Sequence, residues 1–134
     1  MQTKNYRVKY LGMLLASIFI LIAGCSALDT GAELGSNAYS YVRGELIRIY
    51  PSAYDKVLAE SKTTLTQLKI KLTEEISDGI NTTLKAARAD GTPVTIKIAM
   101  KAVRQTKVGV RCGVLGFWDR KVSQLIHDHI AKRI

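Results

Sequence analysis

The sequence predicts an α+β fold, a two-layer sandwich in which two helices cover one face of an antiparallel sheet of about five strands. Stretches in which apolar and polar residues alternate recur along the chain, which is typical of half-buried strands. Two other stretches have apolar residues spaced three and four apart, which is typical of helices with one buried face. Because both helices need an apolar surface to cover, the element order β-α-β-β-β-β-α predicts this sandwich.

The first half of the predicted domain contains a strand, a helix and a second strand. Residues 41–50 are rich in β-branched and aromatic types, which predicts a strand. Ser52 followed by Asp55 resembles a capping box, so we expect a helix that begins there and ends at about Gln67. From residue 68 the apolar residues alternate with lysines, which predicts a second strand over residues 68–77.

The second half contains three strands in a meander and a final helix. Residues 80–86 and 94–102 alternate on either side of a turn at residues 90–93, which predicts a hairpin. Residues 108–114 alternate again and complete the meander. Asp119 is suited to cap a last helix. The apolar stripe of that helix consists of Val122, Leu125, Ile126, Ile130 and Ile134.

The start of the chain predicts a signal peptide rather than part of the fold. Three cations precede an apolar run at residues 11–23, and small residues close the run. The run is too short to span a bilayer comfortably. We therefore divide the chain into three parts, which are a signal peptide at residues 1–24, a segment at residues 25–40 that begins with Cys25 and is interpreted as a flexible tether, and an α+β domain at residues 41–134.

The end of the apolar run resembles the lipobox of bacterial lipoproteins, in which an aliphatic residue and two small residues precede a cysteine. Its residues here are Leu21, Ile22, Ala23, Gly24 and Cys25. The resemblance implies diacylation of the Cys25 thiol, cleavage before Cys25 and acylation of the new amino terminus. The alternative is a plain signal-anchor helix with an incidental cysteine, for which the run is short.

Ser26 and the charge balance bear on location and partners. In lipoproteins of Gram-negative bacteria an aspartate after the cysteine resembles an inner-membrane retention signal. Because Ser26 stands there, we expect the outer membrane, facing the periplasm. The chain has 20 Lys+Arg against 11 Asp+Glu. Export argues against nucleic acid, so the charge favours anionic lipid, lipopolysaccharide or acidic cell-wall polymer as a partner. The alternative is that it serves only solubility.

Alternation in the later strands places four cations on the face opposite the apolar set. They are Lys97, Lys101, Lys107 and Arg111. We therefore expect the uncovered face of the sheet to be basic and to make weak, salt-dependent contact with an anionic surface.

No group of residues predicts a catalytic, metal or cofactor site. His127 and His129 are two positions apart, which on a helix directs them about 200° apart and away from a common metal. His129 falls within the apolar stripe as a half-buried boundary residue. Cys112 alternates with valines and is interpreted as a core residue rather than a reactive thiol. Since no nucleophile, base and orienting group can be named together, an enzyme is the least favoured class.

Four segments of the chain form a recognisable set, namely Tyr41–Leu46, Tyr54–Val57, Ala89–Val94 and Gly113–Ile126. Together they resemble a family of small bacterial lipoproteins known only as a domain of unknown function. The resemblance covers roughly residues 24–134 and implies a lipobox-anchored α+β domain with no established activity. We therefore expect a non-enzymatic binding or structural module of the cell envelope. The alternative is a carrier that holds an apolar or lipid ligand between sheet and helices.

Overall fold

Seven strands and two helices make up residues 38–134, the part of the chain that the computed structural model describes. The strands are β1 (Ser40–Val42), β2 (Glu45–Tyr50), β3 (Lys71–Ser77), β4 (Asn81–Ala87), β5 (Pro93–Ala102), β6 (Gln105–Val114) and β7 (Phe117–Trp118). The helices are α1 (Tyr54–Gln67) and α2 (Arg120–Ala131). Paired strands are antiparallel in the order β1-β2-β6-β5-β4-β3, with β7 paired to β6. The predicted α+β class is confirmed, with β1 and β7 as additional short strands.

The core lies between the two helices and one face of the sheet. Ile96 on β5 pairs with Leu84 on β4 and with Val110 on β6, and all three side chains are fully buried. Alternate residues on these strands face the helices, as the periodicity predicted. The helices contribute the side chains that close this layer, which are Tyr54, Val57 and Leu65 from α1 and Ile126 and Ile130 from α2.

The single strand predicted over residues 41–50 is wrong, because the chain turns back within it. Arg43 and Gly44 form a two-residue turn in which both have positive φ, 49° and 80°. Such a turn matches the twist of the strands it joins. Gly44 has a second requirement, since the ring of Trp118 occupies the space that a Cβ would need. The residues on both sides of the turn favour a strand conformation, so the sequence pattern looks like one continuous strand.

The capping box predicted at the start of α1 is also wrong. Ala53 is the N-cap and provides no side-chain hydrogen bond, so Ser52 and Asp55 form no capping box. Ser52 instead accepts a hydrogen bond at its carbonyl oxygen from the Thr106 hydroxyl, at 2.8 Å. This contact ties the connection before α1 to the start of β6. The predicted helix end at Gln67 is confirmed.

The second strand begins at Lys71 rather than at residue 68, because residues 68–70 terminate α1. The backbone N–H of Lys69 donates to Thr66 and that of Ile70 donates to Leu65, which is the Schellman pattern. Lys69 occupies the left-handed position of this motif, with φ 55°. The alternation of Leu68, Ile70 and Leu72 with lysines therefore spans a helix end and a strand start, not one strand.

The predicted final helix is confirmed in position, with a different buried face. Asp119 is the N-cap, and its carboxylate accepts a hydrogen bond from the backbone N–H of Val122 at 3.1 Å. Leu125, predicted to lie in the apolar stripe, is 45% exposed. The buried polar residues of α2 are Ser123 and His127. The stripe is thus rotated toward His127.

Candidate functional site

The residues predicted for lipidation lie outside the described part of the chain. They are Cys25 and the lipobox residues Leu21, Ile22, Ala23 and Gly24. The four cations predicted to lie on the uncovered sheet face are all within the described residues 38–134.

Two of those four cations converge on one carboxylate. Lys97 Nζ lies 3.2 Å from Oε2 of Glu45, and the Arg111 guanidinium lies 3.5 Å from the same oxygen. The Glu45 side chain is only 13% exposed, so this cluster is partly shielded from solvent. The Arg111 guanidinium also lies over the ring of Trp118, 5.1 Å from its centre. Glu45 therefore offsets one of the four positive charges predicted for this face.

Gly109 makes this arrangement possible. It pairs with Ile47 on one side and Lys97 on the other, in the middle of the uncovered face. A Cβ at Gly109 would collide with the Glu45 carboxylate. The glycine thus leaves a gap across which Glu45 reaches both cations. A depression of about 260 Å³ opens beside it, lined in part by Asn81, Thr83, Ala99 and Lys107.

The other two predicted cations lie near the β5–β6 turn. Lys101 is exposed in a bulge between Met100 and Ala102, and Lys107 pairs with Ala99 at the start of β6. Neither lies within ion-pair distance of a carboxylate among residues 38–134. The four cations therefore divide into an engaged pair and a pair that faces solvent.

A buried polar network joins α2 to β2, and sequence reasoning missed it. His127 is fully buried, with Nε2 at 2.8 Å from the Leu46 carbonyl oxygen and Nδ1 at 2.8 Å from the Tyr50 hydroxyl. Because a carbonyl can only accept, Nε2 carries the proton and Nδ1 accepts from Tyr50. The same O–H also donates to the His127 carbonyl oxygen at 3.0 Å, so the Tyr50 proton is shared between two acceptors in a three-centre hydrogen bond. His129, by contrast, is half-buried, as predicted.

Burial determines the protonation states in this network. It lowers the pKa of His127 to about 4, an effect that the hydrogen bond to Leu46 opposes and the nearby Arg48 guanidinium reinforces. Burial likewise raises the pKa of Tyr50. Both rings are therefore neutral near pH 7. Arg48 lies over the Tyr50 ring at 4.9 Å from its centre and donates a hydrogen bond to the Tyr39 hydroxyl.

Cys112 is fully buried among the core side chains, as predicted. Burial raises the pKa of its thiol, so the reactive thiolate is disfavoured. It pairs with Val94 on β5, on the face of the sheet that packs into the core.

A groove of about 380 Å³ lies at the rim of the core. Its apolar lining includes Ile70, Val122 and the exposed Leu125, and the cations Lys69 and Arg88 stand on its edge. The Arg88 guanidinium lies 3.7 Å from Asp90 and 3.9 Å from Asp119. The groove is open to solvent and of a size that suits a small ligand with an apolar part.

Within residues 38–134, no three His, Cys, Asp or Glu side chains gather in a way that could hold a metal ion. None of the helices described here is long and apolar enough to cross a membrane.

Comparison with known proteins places the chain in a family. No curated protein matches it. A family described as protein of unknown function (DUF3568) has a sequence model that matches residues 9–133. Because this match extends over nearly the whole sequence, the chain belongs to that family, the DUF3568 proteins of unknown function.

Proposed function

We propose that the protein is a non-enzymatic binding or structural module of the bacterial cell envelope, tethered by acyl chains on Cys25 to the outer membrane and facing the periplasm. The observation that carries this proposal is the lipobox-like Leu21–Cys25 sequence after a basic, short apolar segment. Each buried methylene contributes about 0.8 kcal/mol, so one acyl chain holds weakly whereas two or three hold firmly.

The positions of the groups best suited to chemistry support a non-enzymatic role. His127 and Cys112 have side chains with acid-base and nucleophilic chemistry, and both are fully buried. His127 uses both ring nitrogens in hydrogen bonds within the core. A substrate would have to open the core to reach either group, so their role in packing is the simpler interpretation.

Metabolic labelling with a palmitate analogue tests the anchor. The Cys25→Ser variant should take up no label and accumulate as an unprocessed precursor, because only a thiol forms the diacylglycerol thioether. Cys112→Ala is the matched control, since it removes the other cysteine of the chain, and it should label as the wild type does. Equal label on the Cys25→Ser protein would contradict the proposal.

The outer-membrane location has its own test. We expect Ser26→Asp to move the protein to the inner-membrane fraction of a density gradient, with Ser26→Ala as the control that stays with the outer membrane. A wild-type protein already found in the inner-membrane fraction would overturn this part of the proposal.

A carrier of an apolar or lipid ligand is the second candidate, and the groove beside Leu125 favours it. The groove combines apolar walls with the cation Lys69, which suits an apolar ligand with an anionic head. Arg88, also on its edge, is already paired with Asp90 and Asp119. Native mass spectrometry of the protein from envelope membranes should then find a bound lipid on the wild type. Leu125→Arg should abolish that adduct. A wild-type protein without a bound lipid would rule out the carrier function.

A further inference from the structure

We propose that the protein docks the end of its sheet that carries the β5–β6 turn onto the anionic bilayer that holds its anchor. This inference rests on the proposed membrane tether and names the surface that meets the membrane. We call that surface the loop-end patch. It consists of the apolar side chains of Ile80, Met100 and Val103 and the cations Lys101, Arg104 and Lys107.

The apolar part of the loop-end patch spans two neighbouring turns. Val103, at the tip of the β5–β6 turn, is 84% exposed, and Ile80, at the β3–β4 turn, is 56% exposed. The backbone N–H of Met100 donates to the Ile80 carbonyl oxygen at 2.9 Å, which holds the two turns side by side. Clustered large apolar side chains at a surface indicate a place of contact.

Cations flank these apolar side chains. Lys101 and Arg104 are exposed on the same turn as Val103, and Lys107 follows at the start of β6. The acid of the adjacent turn, Asp78, is engaged locally by the backbone N–H groups of Ile80 and Asn81. Apolar side chains bordered by Lys and Arg are the combination that lies at the interface of an anionic bilayer.

The described chain enters the sheet from the end that carries the loop-end patch. β1 runs from Ser40, opposite Ile47, to Val42, opposite Glu45, and β6 begins at the other end of β2, where Thr106 pairs with Tyr50. The segment before β1 therefore leaves the sheet on the side of the loop-end patch. Twelve residues separate Cys25 from Ala38. A chain of that length spans at most about 45 Å when fully extended, so the loop-end patch lies within reach of a bilayer that holds Cys25.

The opposite end of the sheet offers a natural control. The tip of the β6–β7 hairpin exposes Leu115 and Phe117, at 89% and 81%, with Arg43 and Arg120 exposed on the β1–β2 turn and α2 at the same end. This tip is comparably apolar, but β1 runs toward it, so the tether would have to pass back along the sheet to bring it to the bilayer. Composition alone does not separate the two ends, whereas the chain path does.

Hydrogen exchange of the full acylated protein in vesicles tests the proposal. In vesicles that contain phosphatidylglycerol, amides at residues 78–81 and 100–107 should exchange more slowly than in neutral phosphatidylcholine vesicles. Amides at residues 113–118 should exchange equally in both. The opposite pattern, equal protection at both ends, or no protection at residues 100–107 would each overturn the proposal.

Two triple variants supply the matched comparison. Replacing Lys101, Arg104 and Lys107 by Gln should weaken docking about fivefold for each cation, or about a hundredfold in all, and remove the protection. Replacing Arg43, Arg120 and Lys121, an exposed residue next to Arg120 on α2, by Gln should leave the protection unchanged. If both variants behave alike, the contact reflects net charge and the loop-end patch has no special role.

The failure of the anchor and the failure of the patch are separable. Intact mass shows first whether Cys25 carries acyl chains, which tests the proposed function alone. If it carries none, the mature chain can be coupled through the Cys25 thiol to a maleimide lipid, and the same exchange measurement then tests the patch. An acylated protein with an unprotected turn at residues 100–107 overturns only the docking proposal.

Discussion

At the scale of single residues, His127 explains how α2 is held against the sheet. Its ring bonds to the Leu46 carbonyl oxygen and the Tyr50 hydroxyl, both on β2, and it is fully buried. A buried polar side chain that satisfies both of its nitrogens fixes the position of a helix more sharply than apolar packing does. The sequence pattern could not find it, because a histidine beside an apolar stripe has no signal that distinguishes a core position from a boundary.

The lowered pKa of His127 makes stability depend on pH. The folded pKa of about 4 lies below the ordinary value of 6.5, so the unfolded chain binds more protons between these values. The free energy of unfolding should therefore fall as the pH drops from about 6.5 to about 4, by roughly 3 kcal/mol. His127→Phe should flatten this slope, while His129→Phe should retain it. Denaturant midpoints against pH would measure both, and an unchanged slope in His127→Phe would exclude this residue as the cause.

Gly109 is a residue whose role appears only in three dimensions. Gly109→Ala should destabilise the fold by about 1–3 kcal/mol, because the new Cβ meets the Glu45 carboxylate. In a Glu45→Ala background the same change should be neutral or stabilising, since the collision is gone and alanine reduces the freedom of the unfolded chain. A double-mutant cycle from urea unfolding gives the coupling energy. A coupling near zero would mean that the carboxylate does not occupy the gap.

At the scale of elements, the periodicity of the sequence predicted the meander and both helices, whereas local turn chemistry was harder to predict. The hairpin strands alternate cleanly because one face of each lies on the core and the other faces solvent. Two turns, at Arg43 and at Lys69, interrupt predicted strands at residues that do not indicate a turn. Arg43 and Lys69 both adopt positive φ, a conformation that sequence rules associate with glycine or asparagine.

The left-handed Lys69 yields a prediction about the end of α1. Lys69→Gly should raise the free energy of unfolding by roughly 0.5–1 kcal/mol, because glycine adopts this conformation without steric cost. Lys71→Gly, two residues later in β3, should lower it, since glycine weakens a strand. Thermal unfolding of the two variants checks the order. The reverse order would show that Lys69 makes contacts worth more than its strain.

At the scale of the whole molecule, one face of the sheet provides the stability and the other faces solvent with mixed chemistry. The buried set runs through four neighbouring strands, and Ile98, near its centre, is 1% exposed. On the other face, Lys97 and Arg111 are engaged with Glu45, an acid that the sequence analysis gave no role. Alternation identifies which residues face outward, but ion pairing across strands depends on register.

Truncation of the core tests the register directly. Ile98→Ala should cost about 2–5 kcal/mol, a large share of the stability of a small domain. Ala99→Gly, the next residue along β5 and on the opposite face, should cost no more than about 1 kcal/mol. Guanidinium unfolding midpoints measure the two costs. A larger loss from the Ala99 variant would mean that the strand is shifted by one residue.

The central claim is that the protein is a lipid-anchored module, and the intact mass of the protein extracted from bacterial envelope membranes tests it most directly. The proposal predicts the mass of residues 25–134 plus the thioether-linked diacylglycerol and an amide-linked acyl chain on Cys25. The mass of an unmodified chain, or of one that begins at a residue other than Cys25, would contradict it.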